Sequence, residues 1–247
     1  QKGKCFWMRV FEIPEGSKTS KGRAIQNLIN IEQDDEVKAF ICTQDLKDEE
    51  YINSHYVIMA TKNGQVKKTS LEQYSRPRTN GINAITIKDG DELLEAKLTN
   101  GNSQIMLAVK SGKAIRFEES KTRPMGRNAS GVRGIRLKDN KDEVVGMISV
   151  NDMDANILVV SENGFGKRSS LEDYRLTNRG GKGVKTISIT EKTGKLVTLK
   201  SVSDNDDLMI INKSGIAIRM QVEDLRVMGR ATQGVKVISL KDGDSIA

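Results

Sequence analysis

Apolar and polar positions in this chain do not follow the 3.6-residue period of helices. They fall into short apolar runs, each followed by a Gly-containing turn and a basic strand. One such stretch reads Val57-Ile58-Met59-Ala60-Thr61, Asn63-Gly64, Val66-Lys67-Lys68. It returns as Ile105-Met106-Leu107-Ala108-Val109 with Ser111-Gly112 and Ala114-Ile115-Arg116. A third copy is Ile157-Leu158-Val159-Val160 with Asn163-Gly164 and Gly166-Lys167-Arg168, and a fourth is Leu208-Met209-Ile210-Ile211 with Ser214-Gly215 and Ala217-Ile218-Arg219. Asn-Gly or Ser-Gly between apolar runs predicts a β-hairpin, because Gly takes the positive φ of the turn. A partial copy, Gly3-Lys4-Cys5-Phe6-Trp7, opens the chain without its first strand.

A second pattern follows each hairpin: a basic loop holding a Gly, then a β-branched strand. It appears around Gly22, Gly81, Gly131, Gly183 and Gly234. The hairpin glycines 3, 64, 112, 164 and 215 are 61, 48, 52 and 51 residues apart, and the loop glycines 59, 50, 52 and 51. The long first interval marks a polar, acidic insert at residues 45–54. A period near 50 with about four short strands per unit predicts an all-β, propeller-like array of four-stranded blades. The units run roughly over 1–53, 54–102, 103–153, 154–204 and 205–247, and form one domain. Each unit buries too little alone, so stacked neighbours complete the core. The array begins mid-hairpin and reaches Ala247 inside an expected strand, which reads as a piece of a longer polypeptide.

Charge adds a second layer. Lys and Arg number 40 against 33 Asp and Glu, a net +7 that suits a polyanionic partner. The cations gather in the second hairpin strand and the following loop: Lys167, Arg168, Arg175, Arg179, Lys182 and Lys185 in the fourth unit, with no acid between Tyr174 and Thr190. Other units echo this with Lys67, Lys68, Arg76 and Arg78; with Lys113, Arg116, Arg123, Arg127, Arg133 and Arg136; with Arg219, Arg226, Arg230 and Lys236; and with Arg9, Lys18, Lys21 and Arg23. Equivalent positions in equivalent blades form a stripe along one edge, and a duplex following that stripe is bent. Phosphate contacts carry little sequence information, so such binding is weakly specific and steeply salt-dependent. The competing reading of these charges is a solvated face, and recurrence in five units argues against it.

The segment Asn178-Arg179-Gly180-Gly181-Lys182-Gly183 is similar to the core of the "GyrA box", the basic Gly-rich signature of the DNA gyrase A subunit. The stretch from Arg123-Pro124-Met125-Gly126-Arg127 to Gly131-Val132-Arg133-Gly134-Ile135 resembles the same family, as does Asp89-Gly90-Asp91-Glu92-Leu93. The resemblance covers the whole chain and points to that subunit's C-terminal DNA-wrapping domain. It implies a six-bladed β-pinwheel whose neighbouring blades exchange strands and whose basic perimeter wraps duplex DNA. It also implies partners, namely the ATPase B subunit of the holoenzyme and the remainder of the A subunit. Thr177 and Asn178 stand where the full box has Gln and Arg or Lys, and by unit order this copy falls in the fifth blade. The chain is therefore expected to hold five of six blades, the second to the sixth, with the principal box before Gln1. The A subunit of topoisomerase IV, whose box is degenerate or absent, stays open as an alternative. Under the resemblance, Gly180, Gly181 and Gly183 let the main chain approach a phosphate, with Arg179 and Lys182 adding charge.

Catalytic chemistry is not expected here, and no cofactor. Residues 161–168 are only faintly P-loop-like, because Arg168 stands where Ser or Thr must bind Mg²⁺. Asp89, Asp91, Asp142, Asp242 and Asp244 recur after a strand, as turn residues do. A single histidine, His55, builds no triad, and Tyr74 and Tyr174 in matching Leu-Glu-x-Tyr contexts are packing residues. Cys5 and Cys42 are expected as buried small hydrophobes. No apolar run nears the ~20 residues of a membrane span and no signal peptide is visible, which suits a reduced cytosolic setting. A propeller serving as a protein-interaction scaffold is the alternative of another class.

Overall fold

A computed structural model describes residues 1–17, 19–241 and 243–246. The first hairpin strands are Tyr56–Thr61, Gln104–Val109, Asn156–Ser161 and Asp207–Ile211. Their partners are Gln65–Ser70, Lys113–Glu118, Phe165–Ser170 and Ala217–Gln221, with Lys4–Cys5 as the first unit's copy. Closing strands Leu93–Thr99, Val144–Val150 and Leu196–Val202 pair with the first hairpin strand of their own unit. All three carry a register shift at one place, between Ala60 and Thr61, Ala108 and Val109, and Val160 and Ser161.

Every sheet but the last takes a short strand from the next unit. Ile82–Asn83 pairs with Lys4–Cys5, Val132–Arg133 with the start of Gln65–Ser70, Val184–Lys185 with Lys113–Glu118, and Val235–Lys236 with Phe165–Ser170. The expected four or so strands per unit are present in the middle units. The second, third and fourth units each keep three in their own sheet and lend one short strand backwards, and Leu176–Thr177 of the fourth unit joins the third unit's sheet as well. The sheets are open and separate, and the first and last are two-stranded.

This exchange explains why the first hairpin strands are continuously apolar rather than alternating. Both faces are covered in the second, third and fourth units, whereas Asp207–Ile211 of the fifth leaves Met209 and Ile211 exposed. Ile58 and Ala60 pack with Ile105, Leu107, Ile135 and Met147, whereas Val57 and Met59 pack with Leu71, Tyr74 and Ile85. Ile157 and Val159 likewise face the third unit, and Leu158 and Val160 the fifth. Each core cluster thus lies between two units.

The hairpin and loop glycines form the seams. A Cβ on Gly64, Gly112 or Gly164 would lie 3.0, 2.9 or 2.7 Å from the carbonyl oxygen of Ile135, Ile187 or Ile238 in the following unit. The insert is not plain loop. It carries the helix Glu49–Ser54, capped by the Asp48 carboxylate accepting the N–H groups of Glu50 and Tyr51. Asp91 and Asp142 hold the hairpin turns of their own units by accepting the N–H of Asn63 and Ser111, both at 2.9 Å. Asp242 and Ala247 lie outside the described residues. Tyr74 and Tyr174 are buried, and their hydroxyls bond Ala84 and Thr186. The cysteine expectation is corrected: Cys42 is exposed and Cys5 half-buried, with burial raising its thiol to about 11. No helix among the described residues is long and apolar enough to cross a membrane.

Candidate nucleic-acid interface

The basic loop after each hairpin lies along the second hairpin strand of the preceding unit. Leu176 and Thr177 run parallel to Arg116 and Phe117, and isolated parallel bridges join Lys68 to Pro124 and Arg168 to Val227 in the same register. The chain then turns at the loop glycine and returns as the lent strand. At that turn a Cβ on Gly131, Gly183 or Gly234 would lie 2.5, 2.6 or 2.7 Å from the carbonyl oxygen of Val66, Ala114 or Gly166. Only glycine allows this approach, and φ is positive at each (+88°, +69° and +83°). The expectation that these glycines open the backbone to a phosphate is corrected for Gly183, which packs on the neighbouring unit. Gly180 donates its N–H to the Gly134 oxygen at 2.6 Å, and the Gly181 oxygen accepts from Arg136 N–H at 2.8 Å.

Counted from the loop glycine, the cations fall into registers with different fates. Eight residues before it stand Arg123, Arg175 and Arg226, all exposed. Two residues after it, on the lent strand, stand Arg133, Lys185 and Lys236, also exposed. Lys182 and Lys21, one residue before the glycine, are exposed as well, as are Arg76, Arg78 and Arg23. Four residues before it stand Arg127, Arg179 and Arg230, which are half-buried. Their guanidinium groups turn to the preceding unit: Arg127 Nη1 donates to the Asn83 oxygen at 3.2 Å, Arg179 Nη1 to the Arg133 oxygen at 3.1 Å, and Arg230 Nη1 to the Lys185 oxygen at 2.8 Å. The acceptor is each time the residue two after the preceding loop glycine. The arginine of one loop therefore supports the main chain that carries the exposed cation, or Asn83, of the previous loop. These repeated contacts bring neighbouring loops together.

Lys18 lies outside the described residues. Lys67, Lys68, Lys167 and Arg168 are corrected as phosphate-facing residues, because all four are buried. The Lys67 ammonium donates to the oxygens of Ala84 and Arg127, and that of Lys167 to the Gly229 oxygen at 2.7 Å and the Ser169 hydroxyl at 3.2 Å. Burial lowers Lys67 to about 8, with the Arg127 charge adding to the effect. Burial also lowers Lys167 to about 8; Arg230 pushes the same way and Asp173 opposes. Lys68 forms a buried ion pair with Glu119 at 2.9 Å. Arg168 Nε donates to the Leu225 oxygen, and its guanidinium pairs with Asp204.

Arg116 is half-buried and donates from Nη1 to the oxygens of Leu171 and Tyr174 at 2.9 and 3.0 Å. Burial lowers its pKa. Trp7 Nε1 makes the corresponding bond to the Tyr74 oxygen at 3.1 Å. The position four after the hairpin glycine thus bonds the following unit in the first four units, through Trp7, Lys68, Arg116 and Arg168. Arg219 at the same position is exposed and paired with Asp207. The exposed track therefore runs through the loops and lent strands, and the cations of the hairpin strands lie mostly beneath it. Arg123, Arg226 and Lys236 belong to it by register, and that shared offset was already present in the sequence.

A known family matches the chain in five segments, residues 1–44, 55–100, 104–151, 155–203 and 206–247, and is described as "DNA gyrase C-terminal domain, beta-propeller". The chain is 42% identical over 247 residues to the DNA gyrase A subunit of Staphylococcus epidermidis, covering 100% of this chain and 27% of that protein. It therefore spans just over a quarter of the length of such relatives. Among solved structures it is similar to the C-terminal domain of DNA topoisomerase IV (TM-score 0.88, 26% identity, 99% of this chain and 75% of that one). It is similar also to the DNA gyrase A C-terminal domain (TM-score 0.84, 26% identity, 99% and 78%). Five matched segments spanning nearly every residue, in a chain of strand-exchanging β units, place it: the chain belongs to the DNA gyrase A C-terminal domain family.

Proposed function

We propose that the chain binds the phosphate backbone of duplex DNA along the track of exposed loop cations and bends the duplex across successive units. The carrying observation is the in-register contact of Arg127, Arg179 and Arg230 with the preceding loop, which fixes Arg133 and Lys185 at repeated positions. Bending a 20–30 bp site smoothly through 40–90° costs on the order of 1–6 kcal/mol. Phosphate contacts from Arg123, Arg133, Arg175, Lys182, Lys185, Arg226 and Lys236 offset that cost. These contacts read no bases, so affinity depends on salt far more than on sequence.

In this reading the chain works in the bacterial cytoplasm within the A subunit of a type II topoisomerase. Its partners are an ATPase B subunit and the rest of its own polypeptide. It presents DNA to a catalytic tyrosine in another domain during negative supercoiling. The likeness to a topoisomerase IV C-terminal domain supports a second reading, in which the same surface serves that enzyme. Ligase-mediated cyclisation of a duplex near one persistence length, about 150 bp, tests the bending. Closure that speeds up as protein is added supports it, and an unchanged closure rate at saturation contradicts it.

A further inference from the structure

The junction between the third and fourth units differs electrostatically from its neighbours. A groove of about 500 Å³ there is lined by Lys110, Lys113, Lys138, Lys141, Lys185 and Lys195. Lys110 is paired with Glu143 at 2.9 Å, and the other five make no ion pair among the described residues. The two lining carboxylates are engaged with the backbone. Asp142 accepts the Ser111 N–H and hydroxyl at 2.9 and 2.8 Å and the Lys138 N–H at 3.2 Å, and Asp139 accepts the Lys141 N–H at 2.8 Å.

Register shows that this concentration is local. Lys113 is matched by Gln65 and Phe165, and Lys138 by Lys88 and Thr190. Lys195 stands where the second and third units have Glu92 and Glu143, since Lys62, Lys110 and Glu162 donate their N–H groups to the oxygens of Glu92, Glu143 and Lys195 in turn. In the earlier units the pair is Lys62–Glu92 and Lys110–Glu143, at 2.6 and 2.9 Å. The fourth unit reverses it. Glu162 Oε2 accepts the main-chain N–H of Lys195 at 2.8 Å, and the ammonium of Lys195 remains unpaired at the groove.

Like charges held together repel, and a multivalent anion relieves that repulsion. Lys113 and Lys185 are cross-strand partners, and Lys185 also belongs to the exposed track, so groove and track are continuous. We propose that this groove is a phosphate-binding branch of the track, which takes consecutive phosphates of the duplex where its path crosses the junction of the third and fourth units. The inference rests on the DNA-binding reading and adds a site at which Lys138, Lys141 and Lys195 anchor the duplex.

The test uses the 247-residue chain and the exposed triple variant Lys138→Gln/Lys141→Gln/Lys195→Gln, with the Lys→Arg triple as a charge-preserving control. A second variant, Arg175→Gln/Lys182→Gln, removes two cations of the loop. Duplex affinity is measured by fluorescence anisotropy from 50 to 200 mM salt, and binding of inorganic tripolyphosphate by calorimetry. Loss of up to three phosphate contacts lowers the slope of log K against log salt by about 2–3 in the Gln triple, and the Arg triple keeps the parent slope. An unchanged slope in the Gln triple, with the loop variant still weakened, overturns the groove and leaves the DNA-binding reading intact. The same unchanged slope together with lost tripolyphosphate binding makes the groove a site for free polyphosphate and overturns its assignment to DNA. A parent chain that binds no duplex at 50 mM salt overturns both.

Discussion

Arg179 donates from Nη1 to the main-chain oxygen of Arg133 at 3.1 Å, and from Nε to the Lys121 oxygen at 2.9 Å, so one arginine of the track holds the backbone beneath another. Arg230 repeats the two-pronged contact on Lys185 and Asp173. These arginines act as braces, and their charge reaches a phosphate less directly than that of Lys182 or Arg175. Replacing Arg179 by Lys keeps the charge and loses the fork, because an ammonium cannot donate along two fixed directions as a planar guanidinium does. The Lys variant is expected to lose about 1–2 kcal/mol of stability in urea unfolding. Its DNA salt slope stays near that of the parent.

Lys182→Gln is expected to behave in the opposite way. The side chain is exposed and makes no ion pair or side-chain hydrogen bond among the described residues. Urea unfolding stays unchanged, and the slope of log K against log salt falls by about 0.9, one phosphate's worth. Anisotropy titrations at four salt concentrations check this.

Two glycines with the same φ isolate the seam between units. Gly22 and Gly183 both sit at +69°, but a Cβ on Gly22 meets nothing within 4 Å and one on Gly183 meets the Ala114 oxygen at 2.6 Å. Gly22→Ala is expected to cost about 1 kcal/mol from backbone strain alone. Gly183→Ala adds a backbone clash and loosens the lent strand, for a loss of about 3 kcal/mol or more. Equal losses in chemical denaturation would remove the close approach as the reason for glycine.

The buried pair Lys68–Glu119 joins the second and third units, and Glu119 also accepts the Thr99 hydroxyl at 2.7 Å and the Ser103 N–H at 3.2 Å. Lys68→Met leaves a buried carboxylate without its counter-charge, at a cost of about 3–5 kcal/mol. Adding Glu119→Gln recovers most of that loss, as a double-mutant cycle in urea would show.

Lys67 and Lys167 set a pH dependence. Both are lowered from the ordinary lysine value of 10.5 to about 8, chiefly by burial. Below about 8 both states of the chain carry the proton, and the fold bears the cost of a buried ammonium. Between about 8 and 10.5 the unfolded chain binds more protons than the folded one, so stability rises with pH. From pH 7 to pH 9.5 the gain is on the order of 1–2 kcal/mol per lysine. Tyr74, pushed up to about 12 by burial, does not ionise in the fold over this range. Lys67→Met together with Lys167→Met removes that rise from the urea midpoint and leaves the opposing fall above about pH 9 from Cys5, whose thiol burial holds at about 11.

The repeat was legible because each hairpin and loop needs glycine at one conformation, and glycines at fixed spacing stand out in a sequence. Continuous apolar runs such as residues 157–160 signalled strands covered on both faces. What the sequence concealed was which unit covers them, since a two-residue lent strand such as Val184–Lys185 has no pattern of its own. Basic residues on strands were misleading for a physical reason. Lys67 and Arg168 carry long side chains with several donors, and at a crowded seam those donors satisfy the carbonyls of the adjoining unit. The loop cations were legible because an acid-free stretch such as residues 175–189 has no partner nearby to neutralise it. The lysine groove was not legible, as its members come from four separate segments and Lys195 matters only against Glu92 and Glu143 in the other units.

Gripping a polyphosphate backbone without reading bases is the property on which the proposed role turns. Two 40-bp duplexes of unrelated sequence, titrated from 50 to 200 mM salt, test this most directly. The expected result is one steep slope common to both duplexes, at about −0.9 for each phosphate engaged, with affinities that differ little. Binding that ignores salt, or that discriminates strongly between the two sequences, would contradict it.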